Sequence, residues 1–160
     1  MNIEIERRFL VNKNNFIPPK NYNSIEQAYL IFDNNQILRV RKTNDKYQIG
    51  YKFKKSNIHR LEFEYDIPSD DGKKLLSLSK HHLIKKNRYY IDIEQHTWEI
   101  DVFRDLNKGL IIAEIELVNE DEEIKFPTWI DKEISYDHKY LNFNLSQNPY
   151  SLWKNYIDKE

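Results

Sequence analysis

Eight segments of this chain alternate apolar with charged or polar side chains, and that period of two most restricts what the chain can become. Side chains on a strand point to opposite faces in turn, so each segment carries one apolar and one charged face. The segments span 3–11, 26–32, 36–43, 46–54, 59–67, 85–94, 97–103 and 110–118, and are rich in Ile, Val, Tyr, Phe and Trp. Short polar connections at Asp33-Asn34-Asn35, Thr43-Asn44-Asp45 and Asn107-Lys108-Gly109 have hairpin chemistry. The expectation is antiparallel β structure with successive strands as neighbours. Between Pro68 and His82 the pattern changes to a helix, with Ser69-Asp70-Asp71 as its cap and Leu75, Leu76, Leu78 and Leu83 near its apolar stripe. A terminal amphipathic helix is predicted over 149–157, with Trp153 and Tyr156 or Ile157 facing protein.

The charged faces are sorted by sign. Arg39/Arg41 and Lys86/Arg88 are purely basic pairs, Glu62/Glu64 and Glu114/Glu116 purely acidic ones, and Glu4-x-Glu6-x-Arg8 is mixed. Taken singly, each such strand reads as a solvated outer face over a sandwich core. Like charges side by side on one strand face repel by a few tenths of a kcal/mol to about one, so the sorted set calls for compensating partners. A divalent cation serves Glu114/Glu116, and a polyanion serves Arg39/Arg41. If the sheet closes with its charged faces inward, the result is a tunnel with a basic wall and a carboxylate wall, its apolar faces turned outward under helices. Carboxylate oxygens select Mg²⁺ or Mn²⁺, and no cysteine or clustered histidine is present to favour zinc.

With 160 residues and no linker-like run, the chain reads as a single domain over 1–160. Its 25 basic and 26 acidic residues leave a net charge of -1, so no global field draws it to nucleic acid or an anionic membrane. The absence of cysteine fits a reducing compartment, and no apolar run reaches the roughly eighteen residues of a membrane span. A cytoplasmic protein with neither nucleic-acid nor membrane partners is expected. The oligomeric state stays open, a homodimer included. His59, His81, His82, His96 and His138 lack ligand spacing and read as surface residues, while Trp98, Trp129 and Trp153 read as core or helix-docking residues.

An ordered set of motifs spans nearly the whole chain: Glu4-x-Glu6-x-Arg8, Gln27-Ala28-Tyr29-Leu30, Arg39-Val40-Arg41, Lys52, Arg60-x-Glu62-Phe63-Glu64-Tyr65, Lys86-Asn87-Arg88-Tyr89, Trp98-Glu99-Ile100-Asp101-Val102-Phe103 and Gly109-Leu110-x-x-Ala113-Glu114-Ile115-Glu116-Leu117. In this set the sequence resembles the CYTH superfamily, the triphosphate tunnel metalloenzymes, and most closely its short bacterial inorganic triphosphatases. The resemblance implies an α+β fold built on a closed eight-stranded antiparallel β-barrel with flanking helices, the phosphate chain lying inside. It also implies that Glu4, Glu6, Glu114 and Glu116, completed by Glu62 and Glu64, bind one or two Mg²⁺ or Mn²⁺ ions. Arg8, Arg39, Arg41, Lys52, Lys86 and Arg88 would then hold the triphosphate, with Tyr29 and Lys52 as an assisting catalytic pair. Each of these cations has a plainer alternative in pairing with a facing glutamate. The substrate would be a triphosphate-containing small molecule. One departure stands out: the family pattern ends in lysine where this chain has Arg8, a planar fork in place of a compact ammonium. Asp137, Lys139 and Asn142 fall in a stretch that would line a tunnel mouth or form an exposed loop. CYTH-type adenylate cyclase, thiamine triphosphatase and a non-catalytic polyphosphate-binding module are the alternative functions.

Overall fold

The computed structural model describes residues 3–157, with side chains described as far as Trp153. Nine strands form one antiparallel sheet: β1 (Ile3–Val11), β2 (Asn23–Phe32), β3 (Gln36–Thr43), β4 (Lys46–Lys54), β5 (His59–Ile67), β6 (Ile84–Ile93), β7 (His96–Phe103), β8 (Ile111–Leu117) and β9 (Ile130–Glu133). Their order is β5-β4-β3-β2-β6-β7-β8-β1-β9, and a further β5–β1 pairing closes the first eight into a barrel. The eight alternating segments are thus eight strands, each with bounds close to those expected. The predicted hairpins join β2–β3, β3–β4 and β7–β8. At the β3–β4 turn Asn44 sits in the left-handed region (φ 54), a conformation asparagine tolerates better than most residues.

Closure is short. β1 has β8 along one edge from Ile5 to Leu10. Its other edge is divided: Ile3, Glu4 and Ile5 pair with Leu61, Arg60 and His59 of β5, and Phe9 and Val11 pair with β9.

The apolar faces do turn outward, but helices cover only part of them. The larger core cluster packs Phe9, Tyr89, Trp98, Ile100, Ala113 and Ile115 under Phe16 and Trp129, which belong to connecting segments rather than helices. Trp98 is fully buried, its ring 5.7 Å from both Phe9 and Trp129 in edge-to-face contact, an arrangement aromatic pairs prefer. A second cluster, Tyr29, Ile84, Phe103, Leu110, Ile112, Ile134, Tyr140 and Leu145, sits beneath the C-terminal helices α2 (Asn142–Gln147) and α3 (Tyr150–Ile157). Trp153 docks there against Tyr140 and Tyr150, as expected of it. The expected facing of Tyr156 or Ile157 falls outside the described side chains.

The helix between Pro68 and His82 is α1 (Ser69–Ser77), shorter than its apolar pattern suggested. Pro68 occupies its N-cap and no side chain caps it, so Ser69-Asp70-Asp71 lies within the first turn instead of ahead of it. Leu75 and Leu76 are half-buried, Leu78 is exposed, and the fully buried residue of the helix is Gly72, where a Cβ would collide with the Tyr47 ring. A 3₁₀ turn at His138–Tyr140 leads into α2.

Candidate active site

The inward faces of the barrel strands surround a cavity of about 630 Å³, large enough for a chain of several phosphates with ions and water. Every residue expected to bind metal or phosphate or to form the assisting pair lines it: Glu4, Glu6, Arg8, Tyr29, Arg39, Arg41, Lys52, Glu62, Glu64, Lys86, Arg88, Glu114 and Glu116. Strand pleating puts them there. The inward residues of β3, β4 and β6 are mostly basic, and those of β1, β5, β7 and β8 mostly acidic. Arg8 on β1 and Arg60 on β5 are the cations seated in the acidic wall.

The two signs meet across strand neighbours and across the cavity. Arg8 Nε lies 3.0 Å from Glu114 Oε1, and Arg60 Nη1 lies 2.9 Å from Glu6 Oε1. Arg39 Nη2 reaches Glu64 Oε2 at 3.1 Å and Glu62 Oε1 at 3.4 Å. It passes over Gly50, the residue between Arg39 and Glu64 in the ladder, where a Cβ would come into ordinary contact with both side chains. Lys52 Nζ is 3.3 Å from Glu62 Oε2 and 3.8 Å from Glu4 Oε1. On the far side Asp101 grips Arg88 with both oxygens, at 2.7 and 3.0 Å, and accepts from Lys86 Nζ at 2.7 Å. So the plainer alternative, pairing with a facing glutamate, holds for Arg8, Arg39, Lys52 and Arg88, while Lys86 pairs with the aspartate Asp101. Among the described residues expected at the site, Arg41 has no carboxylate in an ion pair with it and Glu116 no cation.

These environments displace the titrations. Burial, reinforced by a hydrogen bond with Glu62, pushes the Glu4 carboxyl up to about 10, so it shares a proton with Glu62, which is drawn down to about 2. Burial alone would raise Glu6, but Lys52 and Arg60 outweigh it and hold it below the usual carboxylate range. Burial and then the neighbouring Glu6 and Glu62 raise Glu116. Burial lowers Lys86 to about 7 despite Asp101, and burial, with Arg39 and Arg88 nearby, lowers Arg41 to about 10. Repelling carboxylates on one wall and crowded cations on the other describe a site built for opposite guests.

The donor set fits a hard divalent cation. Glu4, Glu6, Glu62 and Glu116 supply carboxylate oxygens on one wall, and their mutual repulsion is what a bound cation relieves. Among the described residues no group of three or more His, Asp or Glu side chains is already gathered in metal-holding geometry, because most of these carboxylates are turned toward cations. Arg8 Nη1 in the acidic wall and Arg39 Nε in the basic one are buried donors without a hydrogen-bond partner, which phosphate oxygens would satisfy.

Some contributors carried no assigned role in the sequence. Asp101 and Glu99, which lies 3.1 Å from Arg88, share the inward parity of β7, and Arg60 shares that of β5. Parity was their available signal. Gln27, fully buried behind the lining, stood in the Gln27-Ala28-Tyr29-Leu30 motif but was given no role of its own. Of the C-terminal trio only Asn142 lines the cavity, its Oδ1 accepting from Lys86 Nζ at 3.2 Å. Asp137 and Lys139 lie off it, with Lys139 over the Tyr140 and Trp153 rings. His96 is buried and bonded to Glu122 at 2.7 Å, so it is not the surface residue expected.

At one end of the barrel the chain closes over the cavity: Leu141, Asn142 and Phe143 line it there, and Arg8 Nη2 donates to the Tyr140 carbonyl at 3.0 Å. The opposite rim carries Thr43, Asn44, Lys46, Gln48, Asp66 and Tyr90 and is polar.

Comparison with known proteins agrees with this geometry. The family model for the CYTH domain matches residues 2–147. An inorganic triphosphatase of Acetivibrio thermocellus is 40% identical over 155 residues, covering 96% of this chain and 99% of that protein. A solved inorganic triphosphatase superposes with a TM-score of 0.65 at 26% identity, covering 89% of this chain and 93% of the other. A Pyrococcus horikoshii protein shares the fold alone, with a TM-score of 0.58 at 21% identity over 74% of this chain and 80% of its own. A barrel with two walls of opposite charge, matched from β1 through α2, places this chain in the CYTH family.

Proposed function

We propose that the protein hydrolyses inorganic triphosphate to pyrophosphate and phosphate inside the barrel, with a divalent cation, Mg²⁺ or Mn²⁺, on the carboxylate wall. The observation that carries this reading is the pairing of an enclosed two-signed cavity with 40% identity to an inorganic triphosphatase along nearly the whole of both chains. Glu4, Glu6, Glu114 and Glu116, with Glu62 and Glu64, would hold the cation, which when bound supplies charge neutralisation and orients the attacking water. Arg8, Arg39, Arg41, Lys52, Lys86 and Arg88 bind the phosphate oxygens and stabilise the charge that moves to the leaving group. The arginines suit this role because their forks take two oxygens at once. Lys52 sits between Glu4 and Glu62 and therefore exchanges carboxylate partners for phosphate as the substrate seats. Tyr29 reaches the same space from β2. The substrate enters by the polar rim around Thr43 and Gln48, the other end being covered by Leu141–Phe143.

The test is phosphate release from tripolyphosphate with Mg²⁺ and with Mn²⁺, against ATP as comparator. Strong preference for tripolyphosphate, lost in Glu4→Gln and Glu116→Gln, is the expected result. Cyclic AMP from ATP would move the assignment to a cyclase, and metal-dependent binding without product would move it to a binding module.

A further inference from the structure

Tyr29 and Arg41 both line the cavity, and one residue behind the lining joins them. Gln27 is fully buried on β2, two residues before Tyr29 on the same strand face and opposite Arg41 in the β2–β3 ladder. Arg41 Nε lies 2.8 Å from the Gln27 amide, and the Tyr29 hydroxyl lies 2.6 Å from it on the other side. A guanidinium has donors only, so the amide oxygen must face Arg41 and the amide NH₂ must face Tyr29. The reverse orientation would set donor against donor.

That polarity has a chemical result. The Tyr29 oxygen accepts from Gln27, so its own hydrogen must point elsewhere, and no acceptor among the described residues takes it. Burial raises the Tyr29 hydroxyl above its ordinary pKa in spite of Arg39, Arg41, Lys52 and Arg8 around it, so the proton stays on the oxygen at neutral pH. We propose that Gln27 is a positioning residue which, by holding Arg41 and the Tyr29 oxygen at once, presents the Tyr29 hydroxyl as a hydrogen-bond donor to a phosphate oxygen of the substrate. Tyr29 then stabilises charge on the transferring or leaving phosphate and does not act as a base. For its substrate, though not for its geometry, this inference rests on the triphosphatase reading.

Gln27→Glu separates the two halves of the contact, because it keeps an acceptor toward Arg41 and replaces the donor toward Tyr29 with a second acceptor. The hydroxyl then turns to the new carboxylate. With tripolyphosphate and Mg²⁺, kcat is expected to fall by about ten- to a hundredfold, the scale of losing one aligned donor. On a Tyr29→Phe background the same substitution should change kcat by less than about twofold, since the partner it acts through is gone. Any rise in KM, from added negative charge beside Arg41, should be equal in both backgrounds. If Gln27→Glu does not fold, Gln27→Met, which has no donor for the Tyr29 oxygen, should show the same dependence on Tyr29. No fall in kcat, or a fall undiminished by Tyr29→Phe, overturns the inference.

A ligand-free readout judges it independently of activity. In protein carrying ¹³Cζ-tyrosine, the Tyr29 resonance, identified by its loss in Tyr29→Phe, should shift in Gln27→Glu as its hydroxyl gains an acceptor. An unmoved resonance overturns the inference even where tripolyphosphate is hydrolysed. Wild-type protein that neither binds nor hydrolyses tripolyphosphate overturns the triphosphatase reading instead, while the ligand-free resonance still decides the role of Gln27.

Discussion

The same eight strands face two different solvents. Outward, Phe9, Trp98, Ile100 and Ile115 pack into a dry cluster. Inward, across a single backbone, Glu6, Arg8, Glu99 and Glu114 line a charged cavity. Small barrels usually fill their interiors with side chains and draw cohesion from them. Here the outer faces and the segments strapped over them supply the cohesion, and the interior holds charges whose burial is costly. Pairing limits that cost, as in Asp101 with Lys86 and Arg88, but Arg41 and Glu116 form no ion pair among the described residues, and burial pushes both toward their neutral forms. Outward residues should therefore govern stability and inward ones activity, with named exceptions.

Trp98→Ala should give the largest loss of stability, about 3–5 kcal/mol in denaturant unfolding, for emptying the centre of the outer cluster. A loss under about 1 kcal/mol would mean that the ion pairs inside, not the packing outside, hold the barrel. Asp101→Ala is the inward exception. It leaves Lys86 and Arg88 buried without their shared carboxylate, at a cost of about 3–5 kcal/mol in the same assay. Glu116→Gln should show the opposite profile: phosphate release from tripolyphosphate falling at least about a hundredfold, with stability unchanged or slightly raised because repulsion from Glu6 and Glu62 is removed. Were stability and activity to fall together there, the division between faces would not hold. Gly72→Ala, outside the barrel, should cost about 1–3 kcal/mol through collision with Tyr47 and leave kcat intact.

The smallest effect is at the surface, where Arg7 holds Glu133 through two hydrogen bonds of 2.9 and 2.7 Å. The bond to Arg7 lowers the Glu133 pKa below its ordinary 4.5. A depressed carboxylate stabilises the fold above its unfolded pKa and loses that contribution as pH falls through the folded value. Arg7→Gln should therefore cost at most about 1 kcal/mol at neutral pH, the pair being partly exposed, with the difference from wild type shrinking as pH drops below 4.5.

Much of this was legible in the chain because period two is a direct record of strand faces. Each inward charge, from Glu4 to Glu116, could be placed on a face before any coordinates, and sorting by sign pointed to a tunnel. The eight strands were likewise read from alternation, but closure of the barrel came from resemblance to a family, since alternation does not say whether a sheet rolls up. Three things lay beyond local pattern. The cover over Trp98 comes from Phe16 and Trp129, whose segments have no periodicity to read. His96 looked exposed because its burying partner, Glu122, lies 26 residues away. Gln27 stood in a motif without a role, because its two hydrogen bonds of opposite polarity are not encoded in spacing.

The divided edge of β1 has a consequence in time. The strand bearing Glu4, Glu6 and Arg8 is made first, yet its neighbours β5, β8 and β9 lie roughly 50 to 130 positions further along the chain. Such distant pairings make folding slow, because a long loop must be closed before any contact repays it. As the ribosome extends the polypeptide, β2 to β5 can zip up as consecutive hairpins while β1 waits. The carboxylate wall therefore arrives late and all at once: until Leu117 has emerged and β8 has captured β1, the nascent chain holds Glu4 and Glu6 but no wall to set them in.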